Sequence, residues 1–161
     1  MEKHHGLNEL KKEYSKFVKK YKLPEFSELN KEFEIEKVQE KETEFLLREI
    51  RRAISEKIVA FLKFLELFMN PSGAPLFILI SLKGLTHSKK EKIEHLYSEL
   101  VKTELGSVSL DIEYQEKEEV RFIKECYKKW KEVKPDLHGI FKELEKIHSK
   151  GSEKKTKSYF G

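Results

Sequence analysis

Residues 43–69 read Thr43-Glu-Phe-Leu-Leu-Arg-Glu-Ile-Arg-Arg-Ala-Ile-Ser-Glu-Lys-Ile-Val-Ala-Phe-Leu-Lys-Phe-Leu-Glu-Leu-Phe-Met69. Leu47, Ile50, Ile54, Ile58, Phe61, Leu65 and Phe68 recur there at three- and four-residue spacing, which lines one face of an α-helix. The pattern predicts a long central helix, with the Thr43 hydroxyl as a candidate cap for its first amides. Beyond Ile58 the other faces fill with Val59, Leu62, Phe64, Leu67 and Met69, and only Lys63 and Glu66 stay polar. A helix that is apolar all round must be covered all round.

On the C-terminal side, Asn70 to Pro75 has turn composition, and Leu76 to Leu82 reads as a short, wholly apolar helix closed near Gly84. Ser88-Lys-Lys-Glu91 fits a capping box. The helix it opens carries Ile93, Leu96 or Tyr97, Leu100 or Val101, and Leu105, and should end at Gly106. A last helical stripe runs from Val120 through Trp130 and Val133, then resumes past Pro135 as Leu137, Ile140 or Phe141, Leu144 and Ile147. One long helix kinked at the proline, or two stacked helices, would keep that period.

On the N-terminal side, Leu7, Leu10, Tyr14, Phe17 or Val18, and Tyr21 form the apolar stripe of a basic helix over about 7–22, which should stop at Leu23 because Pro24 follows. A second short helix would carry Phe26, Leu29 and Phe33. Two segments alternate polar and apolar residues, Glu32 to Val38 and Val108 to Tyr114, as short strands do. The fold expected is therefore mainly α, a bundle of about five or six helices with a long central one, and a small two-stranded element where those segments pair. Residues 1–148 read as a single helical domain. Residues 149–161, lysine-rich and without period, read as a disordered basic tail.

The chain has 161 residues, 39% of them charged and 38% apolar, enough for a core inside an unusually ionic surface. One cysteine, Cys126, excludes a disulfide framework. Only four of the 33 basic residues are arginine and only two of the 29 acidic ones aspartate. Such Lys/Glu enrichment is the habit of hyperthermophile proteins. No apolar run approaches the roughly 20 residues a spanning helix needs, and Met1 to Gly6 leads straight into a charged helix rather than an apolar leader. The expectation is cytoplasmic, with no membrane.

Catalytic equipment is hard to find. The histidines His4, His5, His87, His95, His138 and His148 have no ligand spacing among themselves or with Cys126. Phosphate-cradling glycine loops and nucleophile elbows are missing. No metal, cofactor or small-molecule substrate is expected.

Charge is more informative when resolved along the chain. Residues 1–24 hold seven Lys against three Glu, and residues 146–161 five Lys against one Glu, so each end is +4. Since the whole chain is also +4, the stretch between is −4. Three of the four arginines, Arg48, Arg51 and Arg52, fall within five residues. Glu44 to Arg48 and Arg52 to Glu56 are i,i+4 pairs that would stitch a helix face. Arg51 has Leu47 and Ser55 at those positions, which frees its planar fork for phosphate or carboxylate.

These features select Lys11, Lys12, Lys16, Lys19, Lys20, Arg48, Arg51, Arg52, Lys154, Lys155, Lys157, Tyr159 and Phe160 as a candidate RNA- or partner-binding set. Phe61, Phe64, Phe68, Leu76 and Phe77 are the candidate homodimer interface. The leading expectation is a non-enzymatic, homodimeric helical factor that binds a ribonucleoprotein, the ribosome first among them, and modulates translation or subunit association. The alternative is an adaptor that binds protein alone. An enzyme of unfamiliar type or a peripheral membrane protein is the third class.

Overall fold

The computed structural model describes residues 6–41 and 43–159, with side chains as far as 150. Six α-helices and one 3-10 helix follow one another: α1 Leu7–Tyr21, α2 Phe26–Phe33, the 3-10 helix Ile35–Glu40, α3 Leu46–Met69, α4 Leu76–Gly84, α5 His87–Ser109 and α6 Glu116–Tyr159. The protein is mainly helical, and among the described residues no strand forms. The chain divides into two compact units, Met1–Ala60 with Lys102–Trp130, and Phe61–Val101 with Lys131–Gly161, so the boundary falls inside α3, α5 and α6.

In the first unit, α1 ends where Lys22 turns left-handed and its amide bonds the Val18 carbonyl, ahead of Pro24 as the sequence requires. Glu25 and Glu28 form a reciprocal capping box that opens α2. The buried interior is built from Leu10, Tyr14, Leu29, Phe33, Ile35, Val38, Leu47, Ile50, Ile54, Ile58, Ile123 and Trp130. Tyr14 donates to the Pro24 carbonyl at 2.8 Å. Trp130 packs at 5.6 Å from Phe33 and donates its indole N–H to Glu32 at 2.7 Å, the polar exit a buried indole needs.

Both expected strands are helix ends and turns instead. Glu34 adopts φ 53°, ψ 44° and stops α2. Ile35 and Val38, three apart, then share the buried side of the 3-10 helix, where residues i and i+3 eclipse. The Asn30 amide fixes this turn, donating to the Glu36 carboxylate at 3.0 Å and accepting from its backbone N–H at 2.9 Å. The other segment begins inside α5, which continues past Gly106 to Ser109. Leu110, Asp111 and Ile112 follow in tight turns bonded to Ser107, Val108 and Ser109. Ile112 is 88% exposed, so its alternation never met a sheet. Alternation over so few residues has no meaning without a strand to pair with.

In the second unit, Leu65, Phe68, Ile78, Leu85, Ile93, Leu96, Leu100, Val133, Leu137, Ile140 and Leu144 are buried. Thr86, rather than Ser88, caps α5: its hydroxyl accepts from the Lys89 amide and its carbonyl from the Lys90 amide. α6 continues through Pro135 as one helix. Pro135 is exposed while Val133 and Leu137 are buried, so the carbonyl that loses its partner lies on the solvent side. The helix extends over positions 149–159, where the composition predicts a structureless tail.

Candidate functional site

The arginine cluster resolves into three different environments, all within the first unit. Arg51 is 1% exposed. Its Nε donates to Glu119 at 2.6 Å, one terminal nitrogen donates to the Ser107 carbonyl at 2.7 Å and hydroxyl at 2.9 Å, and the other donates to Asp111 at 2.6 Å. Glu119, 0% exposed, accepts through one oxygen, and its Oε1 has no partner among the described residues. Desolvation pulls the Arg51 pKa down, and the hydrogen bonds it donates to Glu119 and Asp111 more than reverse it, leaving the group above its ordinary value. Asp111 answers in kind: burial raises it, but the bond from Arg51 and the charge of Arg52 hold it below the usual carboxylate value.

Arg52 is exposed and bridges Glu49 at 3.0 Å and Asp111 at 3.2 Å. Lys41 extends the chain of charges to Glu49 at 3.2 Å. Arg48 lies over the rings of Phe45 and Tyr114, 5.2 and 5.3 Å from their centroids, a cation–π arrangement; its buried Nε makes no hydrogen bond among the described residues. Among the described residues neither predicted i,i+4 stitch forms: Glu56 pairs instead with Lys37 at 2.8 Å, and Glu44 lies ahead of α3, which begins at Leu46. Arg51 is thus an internal tie that binds the last turn of α5 and the first turn of α6 to α3. Its position on the Ser107 carbonyl also suits a helix C-terminus. The sequence does not single out Ser107, Asp111 or Glu119. One signal was available: aspartate is rare in this chain, and Asp111 is one of two.

The lysines of α1 are outside. Lys11, Lys12, Lys16, Lys19 and Lys20 are exposed. Lys20 pairs with Glu116 at 2.8 Å, and Tyr21 also donates to that carboxylate. Those two bonds, Lys20 first, hold Glu116 below its usual value. Lys11 covers the Phe26 ring. Among the described residues Lys12, Lys16 and Lys19 have no ion-pair partner. The side chains of Lys154, Lys155, Lys157 and Tyr159, and Phe160 altogether, lie outside the described residues.

The candidate interface divides as well, all of it within the second unit. Phe61 and Phe64 pack on Phe141, with centroids 6.1 and 5.1 Å away, and Phe64 meets Phe68 at 5.5 Å. These rings are half-buried or buried in an internal cluster. α4 is different. It turns Ile78 and Ser81 inward; Ser81 Oγ lies 2.9 Å from His148 Nε2, and Phe77 is 6.4 Å from the His148 ring. Gly84 sits so close to α6 that a Cβ there would come within 2.7 Å of Ile147. The outer side presents Leu76 (69% exposed), Phe77 (46%) and Leu79 (40%), with Met69 (40%) at the end of α3. At roughly 150–250 Å² for a fully exposed large side chain, these four expose about 400 Å² in sum, which lies within the range of about 300–600 Å² for the largest apolar patch of an ordinary monomer. Leu79 and Met69 are additions to the residues the sequence points to.

Cys126 is buried, and desolvation, helped by the charge of Glu104, pushes its thiol up to about 12. That is the opposite of an activated nucleophile. Among the described residues no cluster of His, Cys, Asp and Glu could hold a metal ion, and no helix is long and apolar enough to cross a membrane. Set against known proteins, the chain matches no family model, no curated protein and no solved structure, so its chemistry rests on its own residues.

Proposed function

We propose that this chain acts by binding rather than by catalysis, as a helical module that self-associates through α4 and so presents two copies of its surface. The observation that carries this reading is the outer side of α4. Residues 67–82 include no charged side chain, in a sequence that is 39% charged. A solvent-facing apolar stretch kept free of charge costs solubility unless something covers it. A second copy always brings the same patch, which suits a two-fold, isologous contact. Leu76→Asp with Phe77→Asp, both at exposed positions, should leave the helix content unchanged. The same pair should convert a dimer mass to a monomer mass by static light scattering at micromolar concentration. A monomeric unmodified chain refutes the reading.

A second reading, docking of this module on a ribonucleoprotein such as the ribosome to modulate translation or subunit association, is favoured by Lys12, Lys16 and Lys19. They stand exposed on α1 without counter-ions among the described residues. Contacts of that kind bind phosphate without reading sequence and weaken steeply with salt. Sedimentation of native lysate at low and high salt tests it: co-migration with ribosomal particles at low salt only supports it, and a protein that stays at the top of both gradients rules it out.

A further inference from the structure

Arginine is rare in this chain, and three of its four arginines meet carboxylates. Arg51 pairs with Glu119 and Asp111, Arg52 with Glu49 and Asp111, and Arg121 with Glu118. Arg48 differs. In a sequence with 29 acidic residues, its guanidinium makes no ion pair and no hydrogen bond among the described residues. Glu44 stands four residues earlier, exposed and likewise without an ion pair among the described residues, and it leaves Arg48 alone. Glu49, the next residue, is taken by Arg52 and Lys41.

What holds Arg48 is aromatic. The guanidinium lies 5.2 Å from the Phe45 centroid and 5.3 Å from that of Tyr114, and the two rings meet at 4.3 Å. Its Nε is buried without an acceptor, while the two terminal nitrogens are reached by solvent. A guanidinium laid on aromatic faces keeps its in-plane N–H groups for hydrogen bonds, and its fork is oriented before a ligand arrives. Because Phe45 directly precedes Leu46, the first residue of α3, the Arg48 side chain runs back over the start of that helix. The helix dipole is positive there. Tyr114, whose ring carries the guanidinium, also keeps its hydroxyl unbonded among the described residues.

We propose that Arg48 is an anion site for a phosphate monoester, its two terminal nitrogens donating to two phosphate oxygens and the ester group lying against the exposed part of Phe45. Glu44 decides the charge of the ligand. A carboxylate tethered that close reaches an effective concentration on the order of millimolar and still leaves the guanidinium open, so one negative charge gains too little. A phosphate monoester brings about −1.5 to −2 and three acceptor oxygens. The phosphodiester of a nucleic acid has one charge per phosphate and falls with the carboxylate in that comparison. The site belongs to the first unit and depends neither on the α4 contact nor on the lysines of α1.

The test uses the full chain, isotope-labelled for NMR. With only four arginines, the side-chain Nε–H signals are few enough to assign, and Arg48 is read directly. Phenyl phosphate added at constant ionic strength should move the Arg48 Nε–H along a saturating curve and leave those of Arg51 and Arg121 in place. Inorganic phosphate separates the sources: equal affinity shows that the free ion suffices, tighter phenyl phosphate shows that the ester group adds contact, and both support the site. Arg48→Lys keeps the charge and loses the fork; followed on the amides of Phe45 and Leu46, it should weaken binding about tenfold. Glu44→Gln removes an exposed opposing charge and should tighten binding about threefold, a gain that damage to the fold does not mimic. A shift that rises without saturating, Arg48→Lys binding as well as the parent, or equal affinity for benzoate or a short oligoribonucleotide overturns the proposal. A monomeric chain that still binds phenyl phosphate would refute the α4 contact and leave this site standing.

Discussion

Replacing Arg51 with methionine keeps the length of the side chain and removes its charge from the inside of the first unit. Glu119 would then stay behind with no exposed surface and neither oxygen bonded among the described residues, where Oε1 has no partner even with Arg51 in place. Stripping one member from a buried ion pair costs about 3–5 kcal/mol. The bond to Asp111 adds little, since that side chain is 42% exposed and a pair open to solvent contributes at most about 1 kcal/mol. The Ser107 contacts lose acceptors that can turn to water at the helix end. We expect Arg51→Met to lose about 4 kcal/mol. Glu119→Leu alone should lose about 2 kcal/mol, since Asp111 and Ser107 still hold the guanidinium. The double variant should lose about 3 kcal/mol, so adding the second substitution restores stability, with a coupling of about 3 kcal/mol. Urea denaturation followed by the fluorescence of Trp130, the only tryptophan and a member of the first unit, reads this directly. An Arg51→Met loss below about 1 kcal/mol, or a cycle additive to within about 0.5 kcal/mol, would show that the ion pair is not what closes this part of the fold.

Three further outcomes follow from single sites. Gly84→Ala places a methyl group 2.7 Å from Ile147 and should cost about 1–3 kcal/mol; Ile147→Ala in the same chain should relieve the clash, seen as a partial return of the thermal midpoint. Asp111 and Glu116 both have folded pKa values below their ordinary ones. Their stabilisation is therefore complete above the normal carboxylate range and is lost as pH falls below it and through the depressed folded values. Midpoints measured from about pH 7 down to pH 3 should show the gap between the parent and Asp111→Asn closing as acid is added, and a constant gap would mean that Asp111 is not the group titrating. Glu34→Gly removes the strain of a left-handed residue with φ 53°. It should raise stability by about 0.5 kcal/mol, the Cβ relief being partly offset by the freedom glycine regains when unfolded, and a lower midpoint by calorimetry would contradict this.

The periodicity carried most of the architecture. The central stripe from Leu47 to Phe68, the break at Pro24, the short apolar helix after Asn70 and the last helix through Trp130 are all legible as spacing, because the period of 3.6 residues leaves its mark wherever one face is buried. The α1 lysines were legible too, since a basic face on an amphipathic helix faces water by default. The alternating segments misled because alternation is also what a 3-10 turn or the fraying end of a helix shows over six or seven residues. Strand and 3-10 turn differ in their backbone dihedrals, and over so short a stretch the pattern of apolar residues does not decide between them.

Arg51 shows where one-dimensional reading ends. Its lack of a local partner was visible in Leu47 and Ser55 at the flanking positions, and it pointed outward, to phosphate. The partners were 56 to 68 residues further along, at Ser107, Asp111 and Glu119, and only the packing of the first unit brings them round the guanidinium. The same holds for the apolar segment 58–82. That every face of it needs cover is a property of composition; that Phe61, Phe64 and Phe68 find theirs on Phe141 and on one another, while Leu76, Phe77 and Leu79 do not, is decided by how few neighbours a short helix can touch. Spacing along the chain determines which residues share a face. Which faces are satisfied within the molecule depends on contacts between residues far apart in sequence, and those exist only once the chain has folded.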